Sequence, residues 1–133
     1  MLVMGVKKMK YAKYPLLFCT GGTVYMLLEL LWRGWSHGSM FFAGGTCFLL
    51  LGKISRLRVD WIFKPLLGAA GITAVELIAG LLVNREYSVW DYRQMPFSFL
   101  GQICLPFSLL WIPVGAAAML LYRLLDRKLM AAI

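Results

Sequence analysis

The chain has 133 residues, of which 61% are hydrophobic and only 15% are charged, and its mean hydropathy is +0.74. A soluble domain is usually about half apolar and a quarter charged, and a chain of this length leaves much of its surface exposed. These values exclude an ordinary soluble domain and predict an all-α integral membrane protein. The net charge of +8 does not indicate nucleic-acid binding, because the basic residues lie at the ends of apolar runs and form no single face.

The first half of the chain predicts a basic lead and two membrane spans. Residues 1–13 carry four lysines, and an apolar run, Tyr14–Arg33, follows them. This run is long for a signal peptide and lacks an A-x-A-like cleavage site, so we interpret it as a retained first span. After a turn rich in glycine and serine, the shorter run Ser39–Gly52 predicts the second span.

The second half predicts two further spans separated by a longer polar stretch. A basic loop precedes the third span, Trp61–Val83, and Asn84–Ser98 then leads to the fourth span, Phe99–Tyr122. A span needs about 20 mostly apolar residues, and both runs satisfy that length. We expect Pro106 and Pro113 to kink the fourth span, because proline removes a helical hydrogen bond.

Four spans place both termini on one side of the membrane. Most of the basic residues lie on that side, in the lead, the middle loop and the tail. By the positive-inside rule, both termini are therefore predicted to be cytoplasmic. We interpret residues 1–133 as a single membrane domain, in which a basic cytoplasmic lead, 1–13, precedes two hairpins, 14–58 and 59–128.

The two predicted hairpins resemble each other, which indicates a tandem repeat. Because each unit has two spans and returns the chain to its starting side, the repeats should be parallel and not inverted. The aligned pairs are Leu27–Leu30 with Ala74–Leu77, and Gly44-x-x-Cys47 with Gly101-x-x-Cys104.

Glu76 is the most informative residue, because it lies inside the third predicted span. An acidic side chain at the centre of a membrane helix costs about 2.5–3.5 kcal/mol on insertion scales. It must therefore be protonated, paired across helices or bound to a ligand, and Arg33, Arg85 and Arg93 are the candidate partners. The equivalent residue of the first half, Glu29, can pair with Arg33 at i, i+4.

The remaining candidate residues carry weaker signals. His37, alone in the predicted outer turn, is either a capping residue or a ligand, and Gln102 is expected to line a site from the fourth span. The three cysteines have no metal-ligand spacing, which favours free thiols. No nucleophile elbow or phosphate loop is present, so we expect no enzyme, no metal and no cofactor.

A motif in the second half resembles a known family. Trp90-Asp91-Tyr92-Arg93 and Gly101-Gln102-Ile103-Cys104-Leu105, with Glu76-Leu77-x-x-Gly80, are similar to the bacterial ABC-transporter type IV, permease-like membrane protein family. Arg93 departs from the family pattern, which often has serine there. The resemblance implies a multi-pass protein of the bacterial cytoplasmic membrane. It also implies that any ATP hydrolysis occurs on a separate ATPase subunit, since this chain has no nucleotide-binding motif.

Three functions are compatible with these features. The first is a small transporter or channel-like permease, expected as a homodimer in the lipid bilayer, with a polar intramembrane site for an unknown ion or small molecule between the repeats. The second is a non-catalytic scaffold subunit of a larger complex, and the third an intramembrane enzyme acting on a lipid headgroup. The candidate substrate-binding residues are Glu29, Arg33, His37, Glu76, Asp91, Arg93 and Gln102.

Overall fold

The computed structural model describes the backbone of residues 2–132 and the side chains of residues 12–131. Four of its helices are long and apolar enough to cross a membrane, which confirms a mostly helical, multi-pass membrane protein. A two-stranded antiparallel sheet precedes the last helix. The elements are α1 (Leu2–Arg33), α2 (Gly38–Ser55), α3 (Lys64–Val83), β1 (Ser98–Phe99), β2 (Ile103–Cys104) and α4 (Leu105–Ala132).

The predicted start of the fourth span was wrong by six residues. Phe99 lies in β1, where it pairs with Ile103, and α4 begins only at Leu105. The turn between the strands contains Leu100 (φ 55°) and Gly101 (φ 69°), and such left-handed backbone cannot continue a helix. The second span is longer than predicted, since α2 runs from Gly38 to Ser55 and has 18 residues, which lies within the range of about 17–25 that can cross a membrane.

Of the two prolines expected to kink the fourth span, only Pro113 lies in the interior of α4. Pro106 is the second residue of the helix. Proline is tolerated there because the amide of the first turn has no intrahelical acceptor. The same rule explains Pro65 in the first turn of α3.

The helices pack as two hairpins, with α1 against α2 and α3 against α4. Helix α2 also contacts α3 and α4, whereas α1 and α4 contact each other only slightly. The core between α2, α3 and α4 includes Leu51, Ile72 and Met119, all buried. Glycines allow the helices to approach closely, as membrane helices require: Gly44 lies against Tyr25 of α1.

The two hairpins agree with the predicted arrangement, but one of the aligned motifs does not occupy equivalent structure. Gly44 and Cys47 lie inside α2, whereas Gly101 and Cys104 lie in the strand pair before α4. The alignment around these residues therefore joins a helix to a turn. The tandem repeat itself stays a prediction.

The bundle has two chemically different ends. At the first, here called the lead end, Lys13 Nζ lies 2.6 Å from Asp126 Oδ1, and Arg56 also pairs with Asp126. Lys64 Nζ donates to the Ser55 carbonyl there at 2.6 Å. The opposite end, the loop end, carries the α1–α2 turn and residues 84–104, and it holds the candidate functional residues.

Candidate functional site

Glu76 is the thirteenth of the 20 residues of α3, in the fourth turn of the helix, and only 9% of the residue is exposed. Its Oε1 accepts a hydrogen bond from Trp111 Nε1 of α4 at 2.5 Å, and its Oε2 accepts one from the Tyr92 hydroxyl at 3.3 Å. No cation forms an ion pair with Glu76 among the side chains of residues 12–131. The two groups that hydrogen-bond to its carboxylate are thus neutral donors, and none of the three candidate arginines forms an ion pair with it.

Arg33 instead pairs with Glu29, as their spacing predicted. Arg33 Nε lies 2.5 Å from Glu29 Oε2, and Nη1 donates to the Val89 carbonyl at 2.5 Å. The guanidinium also stacks on Trp35, with Cζ 4.0 Å from the ring centroid. Arg33 therefore joins α1 to the 84–104 segment, and its charge is offset by Glu29.

The other two candidate arginines have partners other than Glu76. Arg93 makes hydrogen bonds with Asp91 at 2.7 and 2.9 Å, and both residues are exposed. These hydrogen bonds lower the pKa of Asp91 to about 2. Arg85 Nε donates to the Leu81 carbonyl at 2.7 Å. None of these three side chains lines the cavity described below.

Residues 84–104 are held over the end of α3 by Asn84 and Gln102, which are 0% and 2% exposed. Asn84 Nδ2 donates to Gln102 Oε1 at 2.9 Å, and Gln102 Nε2 donates to the Asn84 carbonyl at 3.0 Å. Asn84 Oδ1 accepts the backbone amide of Val89 at 2.8 Å, and Trp90 Nε1 donates to the Gln102 carbonyl at 2.9 Å. Gln102 was predicted to line a site from a helix; here it fastens the segment that carries Tyr92.

Tyr92 connects this segment to Glu76. Its ring stacks on Phe107 of α4, with centroids 4.9 Å apart and planes 12° from parallel. Burial raises the pKa of the Tyr92 phenol, and the neighbouring Glu76 carboxylate raises it further. Tyr92 therefore remains a hydrogen-bond donor at neutral pH.

Two cavities meet beside these residues. The smaller one, called the polar cavity, has a volume of about 110 Å³ and brings together Glu29, Arg33 and Glu76. The larger one, called the apolar cavity, has a volume of about 500 Å³ and lies between α1 and α4. Aromatic rings form much of the lining of the polar cavity, and they are those of Tyr25, Trp32, Trp90, Tyr92 and Phe107.

His37 and Asp91 line neither of these cavities. His37 is the N-cap of α2, and its Nδ1 accepts the Ser39 backbone amide at 3.2 Å. This contact confirms the capping interpretation, which follows from the unpaired amides that begin every helix. The structure thus groups three of the predicted residues and leaves four outside: Gln102, His37, Asp91 and Arg93.

The donors that complete the site were not among the residues predicted from the sequence. Trp111 and Tyr92 hold the two carboxylate oxygens of Glu76, and Trp90 contributes both to the cavity and to the Gln102 contact. Buried indole and phenol groups usually find a hydrogen-bond partner. That rule, applied to Trp111 inside an apolar span, was the available signal.

The chemistry that this arrangement permits is recognition and proton or charge exchange at one buried carboxylate. In the part of the chain with described side chains, no three His, Cys, Asp or Glu residues lie close enough together to hold a metal ion. Cys47 and Cys104 are buried, free thiols.

Comparison with known proteins gave one match. A family model described as "Putative ABC-transporter type IV" matches residues 16–133, which is nearly the whole chain. No curated protein matches significantly, and no solved structure does.

Proposed function

The chain belongs to the Putative ABC-transporter type IV family, and on that premise we propose that it is a small membrane permease whose polar cavity binds the transported ion or molecule. The family indicates a transport-related protein, and the four apolar helices indicate a multi-pass membrane protein. The finer proposal is a ligand site between the two hairpins. Its residues are Glu29, Arg33 and Glu76, with Tyr92 and Trp111 as positioning residues.

Glu76 is the observation that carries this proposal. Ionisable groups inside membrane helices are expensive, and they usually mark substrate or ion pathways. Glu76 lines a cavity and has no cationic partner among residues 12–131, so its charge is available to a ligand. Each of its oxygens accepts one hydrogen bond from the protein and has a second lone pair.

The setting of the permease is part of the proposal. We place it in the bacterial cytoplasmic membrane as a homodimer, with the lead end in the cytoplasm, because basic residues concentrate there. A separate ATPase subunit would supply energy, since this sequence contains no phosphate-binding loop. Its contact surface would be at the lead end. The tandem relation of the hairpins and the outer location of His37, Asp91 and Arg93 belong to the same proposal.

A thermal-unfolding screen in detergent tests the proposed site. The probes are chloride salts of sodium, potassium, ammonium and tetramethylammonium, and sodium salts of phosphate and acetate. A ligand that binds only the folded protein raises the melting temperature by mass action. We expect at least one probe to do so in the wild type and not in Glu76→Gln.

Glu86→Gln provides the matched control, because Glu86 is exposed and lines neither cavity. It should keep the shift. A probe that passes this comparison is then tested for flux into liposomes containing the protein. The proposal fails if no probe raises the melting temperature, or if every shift persists in Glu76→Gln.

One observation favours a second function, that of a scaffold subunit. Both carboxylate oxygens of Glu76 are hydrogen-bonded within the chain, to α4 and to the 84–104 segment. A purely structural bridge would have such contacts. In that case Glu76→Gln would melt earlier than the wild type with every probe, and a partner chain would co-purify with the wild type.

A further inference from the structure

The polar and apolar cavities adjoin each other and differ in chemistry. Six residues line both of them, so a ligand that occupies both cavities would pass between these shared side chains. Glu29 is the charged member of this shared set. The shared residues are Tyr25, Glu29, Trp32, Cys47, Ile72 and Phe107.

The apolar part is suited to a hydrocarbon chain. Its volume of about 500 Å³ is within the range of about 300–1,000 Å³ that is common for small-molecule sites. Its walls come mainly from α1, α2 and α4, through side chains such as Val24, Leu51 and Leu110. A hydrocarbon chain that moved from the bilayer into this cavity would replace lipid contacts with contacts to protein side chains of similar polarity. The apolar cavity would therefore select ligands by the length and shape of their hydrocarbon chain.

The polar part is suited to a cation. Its charged groups are two carboxylates and one guanidinium, and Arg33 is offset by Glu29 at 2.5 Å. Glu76 forms no ion pair with a cation among the described side chains of residues 12–131, and aromatic rings line the same cavity. Carboxylates and aromatic faces together recognise ammonium groups, which are attracted to the negative face of the ring.

We propose that the ligand is an amphiphilic cation, namely a molecule with one alkyl chain in the apolar cavity and an ammonium head in the polar cavity. This inference rests on the proposed function and names its ligand class. Glu76 contributes the negative charge, Tyr92 and Trp90 the aromatic faces, and the α1–α4 gap the path for the chain.

Equilibrium binding to the full chain in nanodiscs of an uncharged galactolipid tests the proposal. The probe is tritiated decyltrimethylammonium, and the competitors are decanol, decanoate and tetramethylammonium. Empty nanodiscs measure partition into lipid. We expect decyltrimethylammonium to bind at least about tenfold more tightly than decanol, which corresponds to about 1.4 kcal/mol, and decanoate to compete least.

Two pairs of variants separate the head from the chain. Glu76→Gln should abolish the preference for the ammonium over decanol, whereas Glu86→Gln should keep it. Ala117→Phe fills the apolar cavity from an exposed position and should weaken decyltrimethylammonium about tenfold, leaving tetramethylammonium unchanged. Ala74→Phe is the control, because Ala74 is exposed on α3 and lines neither cavity.

The outcomes distinguish this inference from the function on which it rests. Equal binding of decanoate or decanol overturns the inference, and so does wild-type affinity in Ala117→Phe. If tetramethylammonium binding depends on Glu76 and the decyl chain does not increase the affinity, the polar ligand site is supported and the inference of an amphiphilic ligand is wrong. If neither ammonium binds and the salts of the thermal screen have no effect, the ligand site itself is wrong.

Discussion

Trp111 and Glu76 join α4 to α3 through a hydrogen bond of 2.5 Å from the indole Nε1 to the carboxylate Oε1. The carboxylate is 9% exposed and its other oxygen is held by Tyr92. The indole also faces Tyr25 of α1, with ring centroids 6.3 Å apart. One tryptophan therefore positions the buried acid and also contacts the first hairpin through Tyr25.

Trp111→Phe should destabilise the fold by removing this donor while keeping an aromatic ring. Polar contacts between membrane helices contribute about 0.6 kcal/mol on average and up to about 1.7. We expect a loss in the upper part of this range, because the acceptor is a buried carboxylate. Thermal unfolding in detergent measures it, and Trp61→Phe is the control, since Trp61 is exposed at the lead end and stacks on cations that a phenyl ring also attracts.

A double-mutant cycle with Glu76→Gln tests whether the effect passes through the hydrogen bond. Residues in contact give non-additive changes in unfolding free energy. The double variant should therefore lose less than the two single variants together. Strict additivity would mean that Trp111 acts through packing alone.

Much of the fold could be predicted from the sequence, because apolar length and charge position have few solutions in a membrane. The four spans follow from the lengths of the apolar runs. The Glu29–Arg33 ion pair follows from the spacing of the two residues along one helix. The start of α4 could not be predicted in this way. Residues 99–104 are mostly apolar, as in a membrane-spanning helix. The left-handed backbone at Leu100 accompanies contacts with the rest of the 84–104 segment, such as the hydrogen bond from the Tyr87 hydroxyl to the Leu100 carbonyl.

The partners of Glu76 show the same limit at the site. A charge in an apolar run indicates that a partner is needed, and arginine is the obvious choice by Coulomb attraction. However, each arginine has a nearer acceptor: Glu29 for Arg33 and Asp91 for Arg93. Which neutral groups then reach Glu76 depends on the α3–α4 register and on where the 84–104 segment folds back, and neither is encoded in local spacing.

Asn84→Asp should release the 84–104 segment from the end of α3. The Asn84 amide group donates to the Trp90 carbonyl at 2.7 Å and to Gln102 Oε1 at 2.9 Å, and a carboxylate would face both acceptors without a proton. Leaving a buried acceptor unsatisfied costs about 1–3 kcal/mol. We expect faster proteolysis within residues 85–101 and a lower melting temperature.

Gln94→Glu makes the same chemical change at an exposed position of that segment and should alter neither property. Gln102→Glu is an independent check, because its new oxygen would face the Asn84 carbonyl. Equal proteolysis rates in wild type and Asn84→Asp would mean that the stack of Tyr92 on Phe107 holds the segment by itself.

The Asp91–Arg93 pair predicts a pH effect that is confined to acid. The hydrogen bonds from Arg93 lower the pKa of Asp91 to about 2, whereas the unfolded value is about 3.9. At pH values between these two pKa values, the unfolded protein binds more protons than the folded protein. The stabilisation by this pair is therefore complete above about pH 4 and is lost as the pH falls to about 2.

Because both side chains are exposed, the effect should be small. The melting temperatures of the wild type and Asp91→Asn are expected to differ slightly and by a constant amount from pH 5 to 8, and to converge toward pH 2. A difference that grows on acidification would contradict the assignment. Arg93 can then be replaced by serine with the same expected profile.

Close approach of α1 and α2 makes Gly44 a position where one added methyl group should destabilise the fold. A Cβ atom on Gly44 would lie 2.6 Å from Tyr25 Cβ and 3.0 Å from the Gly21 carbonyl oxygen, and both atoms are fixed to the α1 backbone. Gly44→Ala must therefore separate the helices, at a cost of about 1–3 kcal/mol.

Gly38→Ala is the control in the same helix, because nothing lies within 4 Å of its Cβ position. Thermal unfolding should show a lower melting temperature for Gly44→Ala and an unchanged or slightly higher one for Gly38→Ala, since alanine favours helix. Tyr25 and Glu29 line both cavities from α1, so Gly44→Ala should also weaken binding of any ligand that Glu76→Gln abolishes. A Gly44→Ala protein with wild-type stability would show that α1 can move away from α2 without loss, and the cavity walls would then be adjustable.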